Sequence, residues 1–175
     1  MSETSFNYHN VKDYGAIGDG LTDDTKAIQK TIDKAESGVV YLAEGEYLIT
    51  STIKLKSGIS LIGEANNKKT GGSIIKADSN LESMIHTPPA NGHHMRIENI
   101  TLDGGSNEKC KVKWGIDLLD FCGSRVGNIK INNIDGGGIR VSNAKETSMP
   151  SWVVCLEKIH VQSKDFGIYF SGSDA

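Results

Sequence analysis

Proline is nearly missing: there are 3 in 175 residues, against 20 glycines, the balance of a chain with many tight turns and little disorder. Cysteine is scarce as well. Cys110, Cys122 and Cys155 are odd in number and fit no zinc-ligand spacing, so three reduced, partly buried thiols are expected and no metal site. No apolar run approaches membrane-spanning length, and residues 1–15 hold no apolar segment of the secretory-leader kind. Neither sign of charge dominates: the net charge is −3, with no basic stripe for nucleic acid and no acidic tail. Neither a nucleic-acid nor a membrane partner is expected, and the length suits one domain, residues 1–175.

What is present starts with "YGAIGDGLTDDTKAIQ", Tyr14 to Gln29. It is not a phosphate loop, which needs GxxxxGK[ST], nor a dinucleotide loop, which needs GxGxxG. Asp19, Asp23 and Asp24 lack the alternation of a calcium loop, so calcium has no support from spacing. Helix capping explains these residues better. Thr22 is the expected N-cap, and Asp23 and Asp24 in the first turn would face the positive end of the helix dipole, worth roughly 0.3–1 kcal/mol each. Ala27, Ile28, Thr31, Ile32 and Ala35 form one apolar face, and Ser37-Gly38 ends the pattern. A helix over 22–36 is predicted, with a structural rather than catalytic role for both aspartates.

After Gly38 the pattern changes to short apolar strands separated by Gly, Asn, Asp and Ser: "GVVYL", "EYLIT", "STIKL", "GISLIG", "SIIKA", "SMIHT". A repeat then becomes visible. "IENITL", "VGNIKI" and "LEKIHV" begin at residues 97, 126 and 156, spacings of 29 and 30 residues. Each is followed by a second template: "GIDL" (115–118), "GIRV" (138–141) and "GIYF" (167–170). Two phased motifs recurring together predict stacked coils, each giving one strand to each of several parallel sheets. The expected fold is all-β, a right-handed parallel β-helix of about five coils over 38–175 with an N-terminal α-helical cap in 1–37. The Ile28/Ile32 face would cover the first coil's edge. Segments 105–113 and 144–152 read as loops. The chain stops at "GIYFSGSDA", directly after a strand template, so the expectation is a solenoid truncated at its C-terminal end or covered there by another chain.

Stacking turns sequence phase into columns. Ile100, Ile129 and Ile159 should point inward, as should Ile116, Ile139 and Ile168. Asp117, Arg140 and Tyr169 form one outward column with about 4.8 Å between neighbours. A carboxylate, a guanidinium and a ring in a row suit a sugar groove: Arg forks onto a uronate carboxylate and Tyr packs on a pyranose face. Thr101, Lys130 and His160 form a second outward column, with Asp103, Asn132 and Gln162 two residues on. His93-His94 reads as part of a rim loop. The sequon Asn99-Ile-Thr101 lies inside a strand template and is discounted as a glycosylation site.

"NVKDYGAIGDGLTDDTKAIQKTI" followed by "GVVYLAEGEYLI" resembles the N-terminal signature of the pectate-lyase-like superfamily. The resemblance covers about 40 residues, within which the family caps its solenoid; it is specific for fold and weak for chemistry. It implies a right-handed parallel β-helix that processes or binds polysaccharide, as in lyases, epimerases, and phage tailspikes and appendages. It also implies a catalytic groove on the sheet of the GΦxΦ strands. The epimerase motif Tyr-Gly-x-Asp-Pro-His aligns with Gly137-Gly138-Ile139-Arg140-Val141-Ser142, in which Tyr, Asp, Pro and His are all absent. The enzyme implied is a polysaccharide lyase or a glycoside hydrolase with an incomplete site in this chain; a lyase needs a cation to neutralise the uronate carboxylate and a base for the C5 proton. Asp117, Arg140, Lys130 and His160 are the catalytic candidates, Arg140 and Lys130 as the cation and His160 as the base. Tyr169, Asp103 and Asn132 are the substrate-binding candidates. The partner implied is an acidic polysaccharide; the alternative is a non-catalytic structural or receptor-binding part of a phage tail appendage. A phage origin would imply a homotrimer, though no coiled-coil heptads occur. The setting implied is a virion or the interior of a bacterium, or extracellular if a leader was removed.

Overall fold

The computed structural model describes residues 7–65, 71–87, 94–105, 110–120, 122–143 and 154–171. All strand pairings are parallel, and the chain winds through about five turns of a β-solenoid. Three faces make up each turn. The first stacks β1 (Tyr8–Asn10), β3 (Gly38–Leu42) and β6 (Ile59–Gly63). The second stacks β2 (Asp19–Asp23), β4 (Gly45–Ile49) and β7 (Ser73–Ala77). The third is a separate five-stranded sheet of β5 (Ile53–Lys54), β8 (Leu81–Thr87), β10 (Val112–Leu119), β12 (Gly137–Ser142) and β14 (Phe166–Ser171).

The long strands β9 (Arg96–Asp103), β11 (Ser124–Ile134) and β13 (Val154–Ser163) each serve the first two faces at once. β9 pairs with β6 at Ile97 and Glu98, then with β7 from Ile100 to Asp103. The residue between the two halves turns the corner. Asn99, Asn128 and Lys158 occupy that position in successive turns with φ of 59°, 51° and 52°. Asn tolerates this left-handed conformation better than most residues, and its side chain bonds locally. Asn128 Nδ2 donates to Asn99 Oδ1 at 2.8 Å, linking two corners.

Both isoleucine columns keep the predicted register: Ile129 lies beside Ile100 and Ile159, and Ile139 beside Ile116 and Ile168. Ile100, Ile116, Ile129 and Ile139 are buried, and Ile159 is partly buried against the core. Ile168 is 40% exposed, since it lies on the last described rung. The three cysteines are free; Cys110 is buried, Cys122 half-buried and Cys155 exposed. The predicted loop 144–152 lies outside the described residues, as do 106–109 of the other loop and His93. The neighbouring His94 is exposed, and its N–H donates to the Cys122 carbonyl.

The cap is shorter than predicted. The helix α1 runs Thr25–Lys34, with Asp24 as N-cap and no side-chain capping bond. Thr22 and Asp23 belong to β2, where Asp23 pairs with Leu48 of β4. Ladder pairing therefore wins over the cap at Thr22, whose hydroxyl instead donates to the exposed Asp19 carboxylate. Ile28 and Ile32 are fully buried, as the covering role requires. Asp24, 1% exposed, accepts from the backbone N–H groups of Ile17 and Gly18 at 2.7 and 2.9 Å. Asp23 accepts from Thr25 N–H and from the Thr50 hydroxyl, tying the helix start to the turn after β4. Asp24→Ala should thus cost about 1–3 kcal/mol by stranding two part-buried donors, whereas Thr22→Ala should stay within about 0.5 kcal/mol of wild type. Urea titrations of the two variants check both figures, and a reversed order would contradict the assignment.

Candidate functional site

The outer surface of the five-stranded sheet holds the predicted column and extends it. Asp117 pairs with Arg140 and Arg140 with Tyr169. On the other side Asp117 pairs with His86, and His86 with Lys54. Five rungs thus carry Lys54, His86, Asp117, Arg140 and Tyr169 in one line.

Asp117 is its centre, with a side chain only 3% exposed. Arg140 donates to it through Nε at 2.7 Å and Nη2 at 2.6 Å, a two-point fork. His86 Nδ1 approaches Asp117 Oδ2 at 3.2 Å. Burial alone would raise the pKa of Asp117, but the hydrogen bonds from His86 and Arg140 outweigh it and hold the carboxyl below the usual range. Asp117 also pushes the Arg140 guanidinium up. An ionised Asp117 only accepts, so His86 Nδ1 is the donor and the lone pair of the neutral ring lies on Nε2.

An aromatic platform lies alongside. The Arg140 guanidinium carbon sits 5.3 Å from the centre of the Trp114 ring. Trp114 and Tyr169 ring centres are 5.9 Å apart, and Phe166 and Tyr169 5.5 Å. Phe166 and Tyr169, on the last described rung with Ile168, are 52% and 39% exposed, and Trp114 is 7% exposed. Glycine makes room for this arrangement. A Cβ on Gly137 would fall 2.1 Å from the Trp114 ring, which therefore lies across the next rung. A Cβ on Gly115 would meet the core residue Ile131 at 2.8 Å, and Ile116 is fully buried, so two consecutive residues face inward there. That break puts Trp114 on the same outer surface as Asp117.

The seven predicted site residues divide between two faces. Asp117, Arg140 and Tyr169 come together on the five-stranded sheet. Lys130 and His160 share a column with Thr101 on the second face, and Asn132 pairs with Asp103 two residues on. The pairing of β11 with β13 shifts register after Ile131, so Gln162 does not continue that second column. Asp103 holds its own turn, accepting from Gly105 N–H at 3.0 Å and Asn133 Nδ2 at 2.8 Å. His86, Trp114, Phe166 and Lys54 lie along the same surface and were not among the sequence candidates. Among the described residues no His, Cys, Asp and Glu side chains group as metal ligands do, and no helix is long and apolar enough to cross a membrane.

Fold and surface together define a capped parallel β-helix with a cationic, aromatic strip along one sheet. The chain belongs to the pectate-lyase-like family: residues 8–174 match the family described as rhamnogalacturonase A/epimerase, pectate lyase-like. Alginate lyase 7 of Azotobacter vinelandii is 38% identical over 116 residues, 57% of this chain and 13% of that protein. The pre-neck appendage protein of Bacillus phage B103 is 30% identical over 123 residues, 70% of this chain and 14% of that protein. The chain thus spans a small part of the length of these relatives. The A-module of the mannuronan C-5 epimerase AlgE4 from Azotobacter vinelandii superposes with a TM-score of 0.70 at 22% identity, over 94% of this chain and 53% of that one. At that identity the likeness establishes the fold.

Proposed function

We propose that this protein is a polysaccharide-acting β-helix that holds an acidic glycan along the outer surface of its five-stranded sheet. The observation that carries the reading is the pair of exposed rings, Tyr169 and Phe166, backed by the buried Trp114, beside the line Lys54, His86, Asp117, Arg140. Aromatic faces suit pyranose rings, and the line holds two permanent cations against one carboxylate, which suits a uronate chain. The relatives named above, an alginate lyase among them, support the same substrate class. Arg140 enters differently from the sequence expectation. Its fork is taken by Asp117, so it contributes charge and a stacked guanidinium rather than a free two-point clamp.

A second reading is cleavage by β-elimination, which the His86–Asp117 pair favours. Asp117 fixes the ring so that Nε2 is the basic nitrogen, the arrangement of a base that removes a C5 proton while the C4–O bond breaks. The phage relative supports the non-catalytic alternative, a receptor-binding or structural part of a tail appendage. One experiment separates these readings. Titration with oligogalacturonate and oligomannuronate should show binding that falls about tenfold in Tyr169→Ala, from loss of a stacked sugar. The near-ultraviolet absorbance of the unsaturated product should rise with cleavage and be absent in His86→Ala. Unchanged affinity in Tyr169→Ala would contradict the groove; binding without product would make the surface a receptor-binding one.

A further inference from the structure

We propose a second glycan site, for a carboxylate-bearing sugar, at the corner between the first and second faces. The corner encloses a cleft of about 400 Å³ lined by Asn99, Thr101, Asn128, Lys130, Lys158 and His160, among others. It lies on different sheet faces from the Trp114 platform, and the inference does not depend on the function proposed for that platform.

The corner geometry makes the cleft. Left-handed residues at 99, 128 and 158 bend three successive strands at the same place, and their side chains line the cleft together with Thr101, Lys130 and His160 of the second face. Charge then selects the ligand. Lys130 and Lys158 bring two ammonium groups, while the cleft's carboxylate, Glu64, is engaged by the Tyr41 hydroxyl, whose ionisation it pushes up to about 12. Among the described residues Lys130 and His160 have no hydrogen-bond or ion-pair partner, and Lys158 reaches Glu157 only at 4.0 Å. The bond between the two asparagines uses one donor and one acceptor, which leaves the Asn99 amide hydrogens and a share of each carbonyl for a ligand. Cations beside amides and the Thr101 hydroxyl match a carboxylate carried on a hydroxyl-rich ring, and the cleft is wider than a bare oxyanion needs. Sequence pattern alone ranks Lys130 and His160 with Arg140 as lyase candidates. The structure gives them a cleft of their own.

Calorimetry with trigalacturonate and trimannuronate tests the proposal, with maltotriose and inorganic phosphate as neutral and bare-anion controls. The host is Tyr169→Ala, in which the aromatic platform is weakened. It should still bind a uronate trimer, and Lys130→Glu/Lys158→Glu added to it should lower that affinity at least about tenfold, a loss of charge-assisted bonds. Both lysines are exposed, so circular dichroism should be unchanged. Equal affinity with and without the charge reversal overturns the proposal. So does failure of both trimers to bind the Tyr169→Ala host, and so does binding of phosphate or maltotriose as tight as that of the uronates. If Tyr169→Ala costs nothing and the charge reversal removes all binding, the platform reading falls and this one stands. If Tyr169→Ala removes all binding, this one falls and the platform reading stands.

Discussion

Asp117→Asn should lower folding stability at neutral pH by about 2–4 kcal/mol. The carboxylate is buried and bonded to both neighbours, and removing one member of such a cluster leaves the other charge poorly solvated. The figure sits below that of a fully buried pair because Arg140 keeps 26% side-chain exposure. The pH dependence has a definite sign. The folded-state value of Asp117 is depressed, so its contribution is present above the unfolded carboxylate value of about 3.9 and is lost as pH falls through the lower folded value. Below about pH 5 the gap between wild type and Asp117→Asn should therefore close as the solution becomes more acid. Asp23 is also held below its usual range, so both chains weaken in acid; only the difference between them reports on Asp117. Urea unfolding at a series of pH values measures it, and a gap that widens below about pH 5 would contradict this assignment of Asp117.

Gly137→Ala should have the other large effect. Its methyl carbon would sit 2.1 Å from the Trp114 ring, so either the ring or the strand must move. Overpacking of this kind costs about 1–3 kcal/mol. The functional loss should exceed the structural one. A displaced indole breaks the contact with Arg140 and the platform with Tyr169, and acidic-glycan affinity should drop by about tenfold or more. In a Trp152→Phe background, emission from Trp114 alone should shift to the red as the ring enters water. An unshifted spectrum with unchanged affinity would mean that the ring does not lie across Gly137.

The stacking phase was legible because the GΦxΦ template recurs with glycine at the same place, and every expected column partner in the two isoleucine columns appears in the ladder. His86 was not, because "SMIHT" has Met84 where later turns have Gly115, Gly138 and Gly167. Counting one turn back from Asp117 was the signal available, since the two are 31 residues apart. Trp114 escaped for another reason. Strict alternation puts it inside, and only the inward pair Gly115–Ile116 reverses it. The helix start slipped because Thr22 and Asp23 are good caps locally but are claimed by a strand partner far along the chain. Long-range pairing overrides local propensity there.

The most direct measurement is a titration of the isotope-labelled protein with an oligouronate, following the aromatic ring resonances. If the five-stranded sheet is the glycan-binding surface, the signals of Trp114, Phe166, Tyr169 and His86 move together, with one affinity, and those of the bonded pair His9 and Tyr14 at the capped end stay still. If the four rings hold their positions while the oligosaccharide binds elsewhere, that surface is not the one that holds the glycan.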